Sequence, residues 1–365
     1  MKVLLIGNSG IKSNDTGGQT TKLRLYKEKI LSEGCELIFI DLENFFQKPF
    51  RILASIKKGI QNCDRIVLVS GERACKLLIP FINRWNKKYK KPFVLPLVGS
   101  GVLHFSVDHL SNKDKVDFMT NGRYELGKSQ KKIQKELAKL DCILAETPLM
   151  QKIYSEFYSL KNCYVLNNFR DVQNKVVLKQ KVSQPLKLVF ISRIMREKGI
   201  FDILDVVKKL NSKSTVVSLD LYGELILSDD EKENFLSMLD QNIKYNGVID
   251  NSKVIEIINR FDLFVFPTRF FSEGTPGVIA ESLIAGTPIV TSNFPQAKYL
   301  LQDGFDSFFY DMFSVDDLYN KLYYCLNNAS VIWEMRKNAY KSGKKYLYSY
   351  QRDSFLKYVC GLERK

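Results

Sequence analysis

The sequence predicts an α/β protein built from two doubly wound, parallel-sheet domains of Rossmann type facing a central cleft. Three observations carry this. Short apolar runs alternate with longer amphipathic runs through most of the 365 residues, which is the rhythm of βαβ units. The rhythm breaks once, over Asp171 to Gln184, where the chain turns polar without an apolar period and Pro185 follows; it then restarts. Most strand-like runs end in a polar or glycine-bearing turn, the edge at which open parallel sheets take ligands. The expected division is a first domain over 1–170, a linker over 171–185, a second domain over 186–345, and a helix over 346–365 that returns to the first domain.

The strand candidates of the first half are KVLLIGN, ELIFIDL, RIVLVSG, PFVLPLV, DCILAET and CYVLNN. Those of the second are LKLVFISR, VVSLDLYGE, IKYNGVI, LFVFPT and PIVTSN, the last of which is taken to close the sheet before the loop NFPQAKYLLQDG. Helical runs such as FDILDVVKKL and SKVIEIINRF lie between them, and helical sequence follows to the end. A chain that is 45% hydrophobic and 26% charged has ample core for this and the charge of an ordinary soluble protein. Val3 to Ile6 is too short an apolar run for a signal peptide. Pro92 to Leu103 falls well short of the ~20 residues of a membrane span. A cytoplasmic protein without a span is expected. The seven cysteines are scattered, with no CxxC, and read as reduced, buried small hydrophobes.

The net charge of +15 is unevenly placed. Met1 to Arg170 holds 29 Lys and Arg against 16 Asp and Glu; the remainder holds 26 against 24. Lys48 to Lys91 alone holds 12 bases and 2 acids, in two patches that mix bases with large apolar groups, FRILASIKKGI and KLLIPFINRWNKKYKK. One reading is two amphipathic helices with basic outer faces. Another is a surface for anionic lipid headgroups, with Phe81, Trp85 and Tyr89 at the interface. No nucleic-acid motif accompanies the bases, so nucleic acid is the weakest reading.

The chemistry sits at the strand ends. After the first strand, GNSGIKSNDTGGQTT fails as a P-loop because Gly does not directly precede Lys12. It leaves Gly17 and Gly18 before a helix, where a backbone can approach a ligand. After LKLVFIS, Arg193 stands at the strand end and Lys198-Gly199 at the start of the next helix, a candidate diphosphate clamp. Gly223 and Gly247-Val248 end two further strands. After LFVFPT comes SEGTPGVIAESLIAGTPIV. Its loop, with Gly274, Thr275, Pro276 and Gly277, leads into a helix from about Val278, so Glu273 is in the loop and Glu281 about a turn into the helix. A carboxylate among apolar neighbours needs a polar partner; vicinal ribose hydroxyls would serve, and the free N–H groups of the helix start suit phosphate or sugar oxygens. The plainer reading makes Glu273 a cap and Glu281 a surface residue.

Taken together, R-x4-KG at Arg193 to Gly199, the Gly247 turn, and E-G-T-P-G-V-I-A-E followed by A-G-T-P-I-V at Glu273 to Val290 resemble the family-four retaining glycosyltransferases of GT-B fold. The likeness covers about Leu186 to Tyr310; the first half matches in its opening strand, the Gly17-Gly18 loop and the strand rhythm. The resemblance implies a nucleotide-diphosphate sugar donor, a UDP-sugar by family frequency. It puts Arg193 and Lys198 on the diphosphate, Glu281 on the ribose and Glu273 beside the donor sugar. Gly18, Gly223, Val248 and the Gly274–Val278 loop would line the donor. Many relatives carry a His after the fourth strand of the first domain; here that strand ends in Gly99-Ser100-Gly101 and the nearest is His104, an acceptor-side candidate. Relatives often have Glu where this chain has Gln296 or Ala297.

No two aspartates are two apart, so the Asp-x-Asp of metal-dependent sugar transferases is missing. Neither a metal nor a cofactor is expected. The reading is a retaining sugar transferase of surface polysaccharide or glycolipid synthesis, acting on a lipid-linked saccharide from the inner face of the cell membrane. The rivals are a non-catalytic nucleotide-sugar-binding protein and a sugar-nucleotide epimerase of the same fold.

Overall fold

In the computed structural model of the chain, residues 1–11, 17–98, 128–172, 176–271 and 273–362 are described. The first unit comprises residues 1–168 together with the chain from Tyr348 on. Its strands are β1 (Lys2–Gly7), β2 (Glu36–Asp41), β3 (Arg65–Val69), β4 (Phe93–Pro96), β5 (Cys142–Ala145) and β6 (Cys163–Val165). They form one sheet in the order β2-β1-β3-β4-β5-β6, every pair parallel. Helices α1 (Gly18–Ser32), α2 (Pro49–Asn62), α3 (Glu72–Tyr89), α4 (Lys128–Leu137) and α5 (Pro148–Lys152) connect them.

Most of these strands are almost wholly buried, as expected when helices cover both faces of a sheet. Proline opens α2, where its missing N–H costs nothing. Lys87 and Lys88 stand in the last turn of α3, facing the negative end of the helix dipole. Buried Lys22 of α1 reaches the Leu97 carbonyl at 2.6 Å and the Glu146 carboxylate at 2.7 Å, tying α1 to the ends of β4 and β5.

The second unit runs from Phe169 to Leu347. Its strands are β7 (Leu186–Ile191), β8 (Val217–Tyr222), β9 (Ile243–Tyr245), β10 (Leu263–Phe266), β11 (Ile289–Ser292) and β12 (Ser307–Tyr310), again all parallel, in the order β12-β11-β10-β7-β8-β9. Helices α6 (Ile200–Leu210), α7 (Asp229–Ser237), α8 (Val254–Asn259), α9 (Gly277–Ile284), α10 (Ala297–Leu300), α11 (Val315–Asn327) and α12 (Ala329–Gly343) follow. α13 (Tyr348–Phe355) then belongs to the first unit. There its Tyr348 and Arg352 bind the Glu33 carboxylate at 2.8 and 2.6 Å, and Phe355 packs edge-on against Tyr26.

Two expectations are corrected. PIVTSN does not close the second sheet: β12 pairs with β11 beyond it. The strand SFFY is only four residues long and follows a run of turn residues, so it does not stand out in sequence. Nor do the described residues of 171–185 form a separate linker: they belong to the second unit. Val172 and Val176 pack on one core of the second unit and Val182 on the other. Lys179 and the Ser183 amide both bind the fully buried Asp262. Scattered valines and a distant buried acceptor hold the segment, so it shows no period. At its start, the Arg170 N–H donates to the Tyr346 carbonyl at 2.7 Å and Arg170 bridges to Leu347 in parallel. The two ends of the second unit therefore lie side by side.

All seven cysteines are buried and free. Among the described residues no helix is long and apolar enough to cross a membrane.

Candidate active site

In the second sheet the strand order reverses between β7 and β10, and ligands of open parallel sheets gather at such a switch point. The segments that leave these two strands are locked together. Lys198 ends a 3-10 turn over Arg196–Lys198. Gly199 follows with φ +72°, and a Cβ there would stand 1.9 Å from the Pro267 carbonyl oxygen. Only glycine lets the Lys198 turn lie on the end of β10. The Arg269 N–H donates to the Glu197 carbonyl at 2.8 Å, and the Arg269 guanidinium forks onto Asp202 at 2.7 and 2.6 Å. Those hydrogen bonds to Asp202 raise the pKa of Arg269 further.

Inside this frame Lys198 forms an ion pair with Oε1 of Glu273, and the Thr268 hydroxyl donates to the same oxygen at 3.0 Å. The ammonium stands 5.6 Å from the ring centre of Phe266 and 5.4 Å from that of Phe270. Glu281 repeats the pattern eight residues on: its Oε1 accepts from Nε of Arg170 at 2.7 Å. Both acids are 8% exposed, and Oε2 of each accepts from no described residue. A buried carboxylate with one oxygen neutralised and the other open is a receptor for a hydroxyl.

The helix between them supplies donors. α9 begins at Gly277 behind Pro276, with no side-chain cap and no acid in its first turn. The first N–H groups of a helix have no partner within it and favour anions. A Cβ on Gly277 would stand 1.8 Å from Nη2 of Arg170, so glycine is required by the guanidinium pressed against this turn.

The expected residues divide into those the structure joins and those it does not. Glu273, Lys198 and the buried Gly274 and Thr275 share one locus, and Pro276, Gly277, Val278 and Glu281 continue it along α9. Gly223 (φ +143°) donates its N–H to the Gly247 carbonyl at 2.9 Å, tying two strand ends together, and Val248 beyond it is exposed. Arg193 is exposed and bonds to no described residue. Lys198 is by contrast buried and paired with Glu273. Gly18 is the exposed first residue of α1. His104 lies outside the described residues. Sequence reasoning missed Arg170, Thr268 and the Arg269–Asp202 pair. Arg170 follows a strand as the other site residues do, but it stood at the assumed end of the first domain.

Residues 173–346 match the family Glycosyl transferases group 1. The second unit is a group 1 glycosyl transferase domain. A 41.2 kDa protein of the cps region of Klebsiella pneumoniae is 24% identical over 153 residues, 42% of this chain and 39% of that protein. The N,N'-diacetylbacillosaminyl-diphospho-undecaprenol alpha-1,3-N-acetylgalactosaminyltransferase of Campylobacter jejuni is 20% identical over 343 residues, 88% of this chain and 84% of that one. The match to the Klebsiella protein thus spans about two fifths of that protein's length. Among solved structures, Anabaena HepE in complex with UDP and glucose superposes with a TM-score of 0.71 at 14% identity, over 99% of this chain and 100% of that one. The fold of the chain is accordingly GT-B, two Rossmann-like α/β units.

Proposed function

We propose that this chain is a glycosyltransferase that moves a sugar, with retention and without a metal, from a UDP-sugar to a lipid-linked saccharide in surface polysaccharide or glycolipid synthesis. The observation that carries the reading is the pair of buried acids at the switch point, each held by its own cation through one oxygen and open at the other. Oε2 of Glu281 accepts from ribose hydroxyls and Oε2 of Glu273 from a hydroxyl of the donor sugar. As the nucleotide diphosphate leaves, negative charge grows on its β-phosphate. The Lys198 ammonium, the N–H groups at the start of α9 and Arg193 meet that charge, and fixed donors of this kind need no reorganisation at the moment of reaction. The match to group 1 and the UDP and glucose in HepE support the donor class. The Campylobacter protein, whose name places its acceptor on diphospho-undecaprenol, supports a lipid-linked acceptor.

That acceptor calls for a membrane surface. α2 packs beside α3, and Lys57, Lys58, Arg84, Lys87, Lys88 and Lys90 on and beside them are exposed. Trp85 and Tyr89 are half-buried and Phe81 is exposed; Phe46 and Phe50 protrude further, 91% and 86% exposed, in and just after the turn between β2 and α2. Bases beside protruding rings are the composition of a peripheral contact with anionic lipid, and we assign the chain to the cytoplasmic face of the membrane on that ground.

The test is thermal shift against the ribonucleoside diphosphates and their sugars, followed by transfer assays with and without EDTA. We expect stabilisation by UDP and its sugars, and acceptor-dependent transfer that survives the chelator. Loss of transfer restored by Mn²⁺ would remove metal independence. Donor turnover without acceptor would make the chain an epimerase, and binding without turnover a non-catalytic protein.

A further inference from the structure

We infer that Arg170 is a positioning residue for donor selection, setting the Glu281 carboxylate for the ribose; this rests on the donor reading proposed above. Three fixed points hold Arg170. Its N–H donates to the Tyr346 carbonyl at 2.7 Å. Its Nη1 donates to the Phe169 carbonyl at 2.9 Å. Its Nε donates to Oε1 of Glu281 at 2.7 Å. Its Nη2 lies 1.8 Å from where a Cβ on Gly277 would stand, so no side chain fits there. The guanidinium thus spans from the Glu281 carboxylate to the first turn of α9. Arg170 is 14% and Glu281 10% exposed at the side chain, so the pair is sheltered from the solvent screening that weakens surface ion pairs.

Two consequences follow from chemistry alone. A carboxylate free to rotate about its last torsion offers either oxygen to a diol, whereas Arg170 ties down Oε1 and leaves Oε2 in one place. A guanidinium beside an uncapped helix start, with no acid in that turn, adds a second positive element where a phosphate oxygen would sit. Arg170 therefore couples recognition of the ribose hydroxyls to recognition of the phosphate. Gly277 is glycine because that coupling needs the space.

The experiment compares UDP with 2′,3′-dideoxy-UDP by calorimetry on the full chain, in the wild type and in Arg170→Gln, Arg170→Lys and Gly277→Ala, after a panel of the other ribonucleoside diphosphates has established which one the wild type binds best. If that is not UDP, the preferred nucleotide and its dideoxy analogue replace the uridine pair. We expect the wild type to prefer the ribonucleotide by about tenfold, Arg170→Gln and Gly277→Ala to bring the two affinities within about twofold of each other, and Arg170→Lys to retain part of the preference. Arg170→Gln leaves a buried carboxylate uncompensated and can fail to fold; Gly277→Ala displaces the guanidinium while keeping both charges, and decides the matter in that case. An unchanged preference in Gly277→Ala and in every folded Arg170 variant overturns the role of Arg170 while leaving the donor reading intact. A wild type that binds no ribonucleoside diphosphate overturns both.

Discussion

The outer face of α2 and α3 and the switch-point edge of the second sheet use the same residue types in opposite ways. On and beside α2 and α3, Lys57, Lys58, Lys87 and Lys90 are exposed and bond to no described carboxylate. At the switch point Lys198, Arg170 and Arg269 turn inward, each against a carboxylate of its own. Unpaired cations spread over a face add into a field that falls off within about 10 Å in salt; they can attract a surface but cannot select a molecule. Paired cations in a dry setting have lost most of their long-range field. What they keep is position, which is what selection among similar small molecules requires. A count of basic residues finds the first kind and says nothing of the second.

The largest effect tests the outward face. Replacing Lys87, Lys88, Lys90 and Lys91 with Ser removes four cations worth about 1 kcal/mol each near an anionic leaflet, so affinity for phosphatidylserine vesicles should fall by ~10³ at modest salt, while nucleotide binding stays as it was. Co-sedimentation indifferent to both the substitutions and the salt would reduce this face to ordinary solvated helix, and a soluble acceptor would take the place of the lipid-linked one.

Next comes the inward set. Lys198→Ala should slow transfer by about 30- to 1000-fold, the ~2–4 kcal/mol of a donor aimed at developing charge. It should also destabilise the chain by about 3–5 kcal/mol, because Glu273 is left charged and buried. Glu273→Gln separates the two effects better, since its amide oxygen still gives the Lys198 ammonium an acceptor in place: transfer should fall steeply while the thermal midpoint moves less than in Lys198→Ala. Full transfer by Glu273→Gln would show that the pair only holds the loop in place.

The smallest effect concerns a case between these extremes, the Glu33 carboxylate that anchors α13. Hydrogen bonds from Arg352 above all, then from Tyr348, hold its pKa below the usual carboxylate value. A lowered folded pKa means that the contribution is complete above the unfolded value of about 4.3 and is lost as pH falls through the folded one. Glu33→Gln should lower the melting midpoint at pH 7 by a few degrees and flatten its decline below about pH 4. Identical acid profiles for wild type and variant would show that α13 is held by Phe355 and its apolar neighbours instead.

Much of this molecule could be read from the amino-acid order. Eleven of the twelve strands announce themselves as apolar runs, because a strand covered on both faces has no polar side to dilute the signal. The Glu273–Glu281 spacing was legible for a related reason: charges are conspicuous in a segment as apolar as GVIAESLIAG. Their partners were not. Arg170 is 111 residues from Glu281, and Lys198 is 75 from Glu273; nothing local in either neighbourhood marks one for the other. The linker was misread because a polar stretch can be fixed by one buried acid far away, as Asp262 fixes Lys179 and Ser183.

The adjacency of Arg170 and Leu347 bears on how the chain is made. The second unit is one unbroken insertion whose two ends meet, and the first unit is written in two instalments around it. During synthesis at ~5–20 residues per second, residues 169–347 are complete before α13 exists. For that interval the first unit has its sheet but lacks the helix that fills the ground beside Tyr26 and neutralises Glu33. The second unit can thus mature first, and the more basic first unit closes only after it.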